Sequence, residues 1–370
     1  MKQILFMVLV FASTLLMACS GGDGTYEYPQ TYEDTSLTEE VIILEEVQID
    51  DEPEEDNSAL IDFAAPFFAR LQYVWDKDNG DMWGEPLHSA VVVFCMASGM
   101  VAANRADAEG ELTQVDEHGT IFYVGARRIW RDIVSHGFWN DERAVFLCLN
   151  DQLDFMYQDF ARIVYTHDVS VGLVNHYIIH WKQAHGILPQ GLGQSPGGSY
   201  STLNNITYMV EINALINAIL SEDDFERVGH VHNALSIRYF RRTNSQMESL
   251  GARENAQIIA EGIPTYTEMV LPLSDEELAY SITLWPEFIL WRGRNISLSY
   301  AYFGGALYGI LLDILGIGWR PYVSDDIDLG ELLIEHLGIT YFIPYDEMDL
   351  EQYGYSEISY KLENTPYTNL

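Results

Sequence analysis

Two histidines four positions apart are the clearest candidates for chemistry in this 370-residue chain. They are His176 and His180, in the segment His-Tyr-Ile-Ile-His. Residues at i and i+4 share one face of an α-helix, so both imidazoles can reach a single metal ion. The alternative is that they are ordinary packed or surface histidines, because a short spacing motif also occurs without a metal.

The residue that follows the first histidine departs from the pattern of zinc hydrolases. In the motif H-E-x-x-H the two histidines bind zinc and the glutamate is the general base. Here Tyr177 stands at the position of that glutamate. Tyrosine has a pKa near 10 and is mostly protonated at neutral pH, so it cannot serve as this base. The loss of a general base typically costs about 10²–10⁴-fold in rate. If the two histidines bind a metal ion, hydrolysis at the site is expected to be impaired, and no catalytic residue is assigned.

A third metal ligand is expected to be a carboxylate from a later helix. Glu261 lies in the apolar helical segment 254–266, and Glu211 lies among apolar residues at 209–213 as the alternative. A carboxylate on a buried face is costly unless it is paired or bound to a metal. Pairing with arginine is the competing interpretation for both, and the available partners are Arg238, Arg241, Arg242 and Arg253.

The elements around these residues predict an α+β fold, with a small N-terminal β-sheet region before a mainly helical body. A helix is predicted from Ser58 to Trp75. Strands are predicted at 89–96, 100–103, 120–124 and 144–149. Helices are predicted near 151–166, 169–185, 204–220, 223–243, 253–271, 275–290, 299–315 and 328–337. Two subdomains are predicted: a mixed α/β subdomain at 58–150 and a mainly helical subdomain at 151–370.

The first 18 residues have the pattern of a lipoprotein signal peptide. An apolar run from Ile4 to Met17 leads to Leu16-Met17-Ala18-Cys19. The run is too short to span a bilayer, which takes roughly 20 apolar residues. We expect cleavage before Cys19 and lipidation of its thiol, which would anchor the protein on the extracytoplasmic face of the cell membrane.

The charge of the chain restricts the classes of function that it can have. Segment 19–57 has no basic residue and many acidic ones, so it is predicted to be a disordered tether. With 19 basic and 56 acidic residues and a net charge of −37, the chain should repel nucleic acid.

Only Cys95 and Cys148 remain as cysteines after lipidation of Cys19. They are predicted to be buried thiols, with a disulfide as the alternative if their strands are neighbours.

Several further segments accompany the histidine pair. They are Trp83-Gly84-Glu85-Pro86-Leu87, 101–112, Phe122-Tyr123-Val124-Gly125, Glu261-Gly262-Ile263-Pro264-Thr265-Tyr266, Ser299-Tyr300-Ala301-Tyr302 and 308–313. Together they resemble bacterial metallopeptidase-like proteins of the gluzincin type, from about Trp83 to Leu337. The resemblance implies a zincin-like helical body, with His176, His180 and Glu261 as zinc ligands and Glu211 as a supporting or alternative ligand.

Three functions follow as hypotheses. The first is a surface lipoprotein whose metallopeptidase-like domain binds zinc, has lost peptidase activity and acts as a binding module for a peptide or protein. The second is a working zinc-dependent hydrolase with another general base, for which Asp168 and Glu211 are candidates. The third is a peptide- or glycan-binding lipoprotein without a metal. Zinc binding and the response to a chelator separate these hypotheses.

Overall fold

The computed structural model describes residues 58–87, 90–96, 99–117, 119–127, 134–148, 167–184, 186–191, 202–244, 250–292 and 296–364. Within these ranges the fold is α+β, as predicted: a six-stranded sheet precedes a mainly helical body. The predicted signal peptide, Cys19, the tether 19–57 and the helix at 151–166 lie outside the described residues.

The sheet follows helix α1, which spans Ser58–Asp78. Its strand order is β3-β4-β2-β1-β6-β5, and of the neighbouring strands only β1 and β6 are parallel. All five residues of β1 are buried, as expected for a central strand that is covered on both faces. The strands are β1 Val91–Cys95, β2 Met100–Ala103, β3 Thr113–Glu117, β4 Thr120–Ala126, β5 Val134–Trp139 and β6 Glu142–Cys148.

The two strands that carry cysteines are neighbours. The register of β1 and β6 aligns Val91 with Ala144 and Cys95 with Cys148. Cys95 is buried, in agreement with the prediction of a core position. The side chain of Cys148 lies outside the described residues.

The helical body begins with α2, His167–Ala184, which carries the histidine pair. Between Leu250 and Val270 the chain is continuously helical, and a π-helical turn, Ile258–Gly262, separates the helix Leu250–Gln257 from the helix Ile263–Val270. The other helices are α3 Thr202–Leu220, α4 Asp224–Asn244, α5 Leu250–Gln257, α6 Ile263–Val270, α7 Asp275–Arg292, α8 Ile296–Ile314, α9 Leu329–Leu337 and α10 Tyr355–Asn364.

Local signals in the sequence set several helix ends. Ser274 and Glu277 form a capping box at the start of α7. The Glu277 N–H donates to Ser274 Oγ (3.3 Å) and the Ser274 N–H donates to Glu277 Oε2 (2.9 Å). At α9, Asp328 Oδ1 accepts from the Gly330 N–H at 2.9 Å. Gly338 ends α9 in the left-handed conformation, with φ of 64°.

A continuous hydrophobic core joins the sheet to the helical body. It includes Phe67 of α1, Phe94 and Val145 of the sheet, and Ile179 and Tyr266 of the helices. Helix α2 contacts α1, β5, β6 and α6, so it lies where the sheet meets the helices. The histidine pair therefore lies on a helix that packs against both the sheet and the helical body.

None of the helices in the described ranges combines the length and the hydropathy that a membrane crossing requires.

Candidate metal centre

Helix α2 places both histidines on one face, as their spacing predicted. The ring centroids of His176 and His180 are 4.7 Å apart. The side chain of His176 is completely buried, whereas that of His180 is 19% exposed. One end of the pair therefore lies in the core and the other end reaches solvent.

The π-helical turn brings Glu261 to this face. Glu261 Oε2 lies 3.4 Å from His180 Nε2, and its side chain is 20% exposed. A π turn accommodates one extra residue within a helix and often marks a functional site. Gly262, the next residue, packs directly against α8, which fixes the turn from the opposite side. The turn is thus held between α2 and α8.

The three predicted ligands converge on one region. Donor atoms of His176, His180 and Glu261 all lie within 4.8 Å of one another. Two imidazoles and one carboxylate form a donor set that suits zinc, with further coordination positions left for water or another ligand. Within the part of the chain that the structure describes, a second acidic group with such spacing consists of Asp107, Glu109 and Glu111, in a largely exposed loop.

Glu268 is a member of this site that the sequence analysis missed. It lies on α6, is completely buried, and its Oε2 is 2.9 Å from His176 Nδ1. Burial raises the pKa of the Glu268 carboxyl well above its usual range, and the charge of nearby His180 opposes that shift. Glu268 follows Glu261 by seven residues, a spacing that returns to the same helix face and was the available signal.

Glu211, the alternative ligand, has a different role. Its carboxylate pairs with Arg241 (Nη1 to Oε2, 2.5 Å) and accepts hydrogen bonds from the hydroxyls of Tyr300 (2.6 Å) and Tyr308 (2.7 Å). Burial, followed by the charge of Glu211, raises the pKa of both tyrosines, which keeps them neutral donors. This arrangement corresponds to the competing interpretation of Glu211, pairing with arginine, because Arg241 and the two hydroxyls already contact both oxygens of its carboxylate.

The partner of Glu211 belongs to a larger network of buried charge. Arg241 also pairs with Glu254 (2.8 Å), and Arg242 joins Glu254 to Asp328 at 2.8 and 2.7 Å. Arg238 pairs with Asp328 at 2.8 Å. Three arginines and three carboxylates thus balance one another, which compensates the cost of removing each charge from water.

Tyr177 lies beside the two histidines. Its ring centroid is 5.6 Å from that of His176 and 5.9 Å from that of His180, and the residue is 5% exposed. Tyr302 also stacks on His176, with centroids 6.3 Å apart and planes 9° apart. Aromatic rings therefore flank the imidazoles. The side chain of Asp168, the second candidate base, lies outside the described residues.

The histidines of α4 do not form a second centre. His230 Nδ1 contacts the Tyr353 hydroxyl at 2.8 Å, and His232 Nε2 contacts the Tyr341 carbonyl oxygen at 2.9 Å. Each ring contacts a different part of the C-terminal segment.

Comparison of the chain with known proteins found no matching protein-family model, no matching curated protein and no matching solved structure. The function of the chain is therefore inferred from the geometry of the residues described above.

Proposed function

We propose that this chain is a zinc-binding, metallopeptidase-like surface lipoprotein that lacks the general base of the peptidases and acts as a binding module. His176, His180 and Glu261 are the metal ligands. The observation that carries the proposal is the convergence of these side chains, from two separate helices, to within 4.8 Å of one another.

The distance between the donor atoms of His180 and Glu261, which we call the outer ligands because both are partly exposed, fits a zinc ion. Zinc bonds to nitrogen and oxygen are about 2.0–2.1 Å long, so two ligands of a tetrahedral ion lie about 3.3–3.4 Å apart. His180 Nε2 and Glu261 Oε2 are 3.4 Å apart. Bound zinc would act as a Lewis acid toward a further ligand.

The charge around the inner histidine also supports a cation. Glu268 is completely buried, and among the described residues no lysine or arginine forms an ion pair with it. A buried carboxylate without such a partner is costly. A carboxylate behind a metal-bound histidine is a common arrangement, because it orients the ring and increases its basicity.

Two observations favour binding over hydrolysis. Tyr177 replaces the general base, and Glu211 is committed to Arg241. His180 and Glu261 are each about one-fifth exposed, so a carboxylate or carbonyl oxygen of a peptide or protein ligand can approach the open coordination positions. As predicted from the N-terminal segment, we place this module on the extracytoplasmic face of the membrane, held by lipidated Cys19.

The experiment is a measurement of bound metal in the purified protein, with its melting temperature before and after treatment with a chelator. Zinc at one ion per chain, together with a lower melting temperature after chelation, supports the proposal, because a ligand of the folded state stabilises it. The variant His180→Ala should lose the ion, and the variant His232→Ala should keep it. Absence of zinc from the wild type after incubation with zinc salt would overturn the proposal.

A further inference from the structure

Gln183 connects the two outer ligands of the site. It lies on α2, three residues after His180, and is 3% exposed. Its Oε1 lies 3.1 Å from His180 Nδ1, and its Nε2 donates a 2.8 Å hydrogen bond to the carbonyl oxygen of Ile259. One buried amide thus contacts the histidine on one side and the turn that carries Glu261 on the other.

These contacts determine which nitrogen of His180 carries hydrogen. A carbonyl oxygen only accepts, so the group of Gln183 that faces Ile259 must be the NH₂. The group that faces His180 is then Oε1, which also only accepts. His180 Nδ1 must therefore donate its hydrogen to Gln183, and Nε2, the atom near Glu261, is left for a metal ion or a second proton.

The second contact anchors the π-helical turn. Ile259 lies within the turn Ile258–Gly262, where the main-chain hydrogen bonds change from the α to the π pattern. At this change of pattern, the carbonyl oxygen of Ile259 accepts the hydrogen bond from Gln183. Glu261 is only two residues further along the same turn, so the amide holds the backbone from which the carboxylate projects.

From this arrangement we infer that Gln183 is the positioning residue of the metal centre: it holds His180 in the Nδ1–H tautomer and fixes the turn that presents Glu261. The inference rests on the proposed function for its effect on metal affinity. The tautomer of His180 does not depend on a bound metal and is measured separately.

The tautomer is measured by ¹⁵N NMR of the full chain with labelled histidine, after chelation and at a pH above 7.5. We expect Nδ1–H for His180 in the wild type and in Gln183→Glu, which keeps the accepting oxygen. We expect Nε2–H, or a mixture, in Gln183→Met, which has a similar shape and no accepting oxygen. Nε2–H in the wild type, or an unchanged tautomer in Gln183→Met, would overturn the inference.

Zinc affinity is measured by competition with a chelator on the same proteins. Loss of a group that orients a metal-bound histidine typically weakens binding about 10–100-fold, and we expect this for Gln183→Met. A dissociation constant within twofold of the wild type would contradict the positioning role. If the wild type binds no zinc, the proposed function fails, whereas the tautomer comparison still decides the role of Gln183.

Asn175 provides a matched control. It is a second buried amide of α2, and its Oδ1 accepts a 2.9 Å hydrogen bond from Trp75 Nε1. The variant Asn175→Leu should lower the melting temperature, because it leaves the indole N–H of Trp75 without an acceptor. It should leave the tautomer of His180 and the zinc dissociation constant unchanged, which separates positioning from general stability.

Discussion

Gly262 and Gly305 form a backbone-to-backbone contact between the π-helical turn and α8. A Cβ atom on Gly262 would lie 2.7 Å from Gly305 Cα and 2.9 Å from the carbonyl oxygen of Ala301. A Cβ atom on Gly305 would in turn lie 2.7 Å from Gly262 Cα. Since main-chain atoms cannot rotate aside, this contact fixes the distance between the two helices next to Glu261.

Gly262→Ala should therefore push the turn away from α8. We expect a loss of stability of about 1–3 kcal/mol, as for other overpacked cores, and weaker zinc binding because Glu261 moves with the turn. Urea unfolding and zinc titration measure the two effects. Gly229→Ala is the control: Gly229 lies in α4 with nothing near its Cβ position, and alanine there should stabilise by up to about 1 kcal/mol. Equal stability of the two variants would contradict the contact.

Replacement by glutamine is expected to have opposite effects at Glu261 and Glu211, on zinc binding and on stability. Glu261→Gln should abolish stoichiometric zinc binding with little change in the stability of the metal-free protein. Glu211→Gln should retain zinc and lose about 3 kcal/mol of stability, because it removes one charge partner of buried Arg241. Metal analysis and chemical denaturation of both variants provide the check. Loss of zinc in Glu211→Gln alone would reverse the assignment.

Glu268→Gln should separate metal affinity from the stability of the metal-free protein. We expect zinc affinity to fall about 10–100-fold, because the carboxylate behind His176 is lost. The metal-free variant should be about as stable as the metal-free wild type, since burial already favours the neutral form of the Glu268 carboxyl and the amide that replaces it is also neutral. Chelator competition and thermal unfolding measure the two quantities, and unchanged affinity would contradict the role of Glu268.

Tyr177→Glu tests whether only the base has been lost. In the zinc-loaded protein we expect hydrolysis of peptides to rise above the wild-type level, because a carboxylate at this position can accept a proton from water. Tyr177→Gln is the matched control, because glutamine is similar in shape to glutamate and cannot act as a base. Equal rates for the two variants would mean that the site lacks more than the base.

The buried charge network predicts acid sensitivity. Burial alone would raise the pKa of Glu254, but the charges of Arg241 and Arg242 outweigh this effect and lower it to about 2. An unfolded glutamate has a pKa near 4.3. The contribution of Glu254, about 3 kcal/mol, should therefore be complete above about pH 5 and disappear as the pH falls toward 2.

Urea unfolding at several pH values measures this contribution. Glu254→Gln should be less stable than the wild type at pH 7, and its stability should change less between pH 5 and pH 2. Parallel pH profiles of the two proteins would show that Glu254 is not responsible.

The periodic parts of the fold could be predicted from the sequence. The histidine helix, α3 and α8 carry long apolar patterns, and their predicted bounds agree with the structure to within three residues. Strand β3 was missed because Thr113–Glu117 is polar and mostly exposed. Strand β5 contains Gly137, which weakens a strand pattern. Helix α10 was also missed, because it buries only Ile358.

The candidate site could be predicted in part. The spacing of His176 and His180 and the apolar surroundings of Glu261 were sufficient to select three residues that converge. Glu211 had equally apolar surroundings, so only the position of Arg241 distinguishes a paired carboxylate from a candidate ligand. Gln183 was missed because its role depends on the carbonyl of Ile259, a main-chain group that no residue type reveals.

The three ligands of the metal centre differ in solvent exposure, and this difference determines which of them an arriving ion contacts first. His180 and Glu261 reach solvent, whereas His176 is completely buried. An ion held as we propose is bound first by His180 and Glu261 and last by His176. It leaves these ligands in the reverse order. His180 and Glu261 are then the last ligands to release the ion, so the rate of metal exchange depends on the motions of these two side chains.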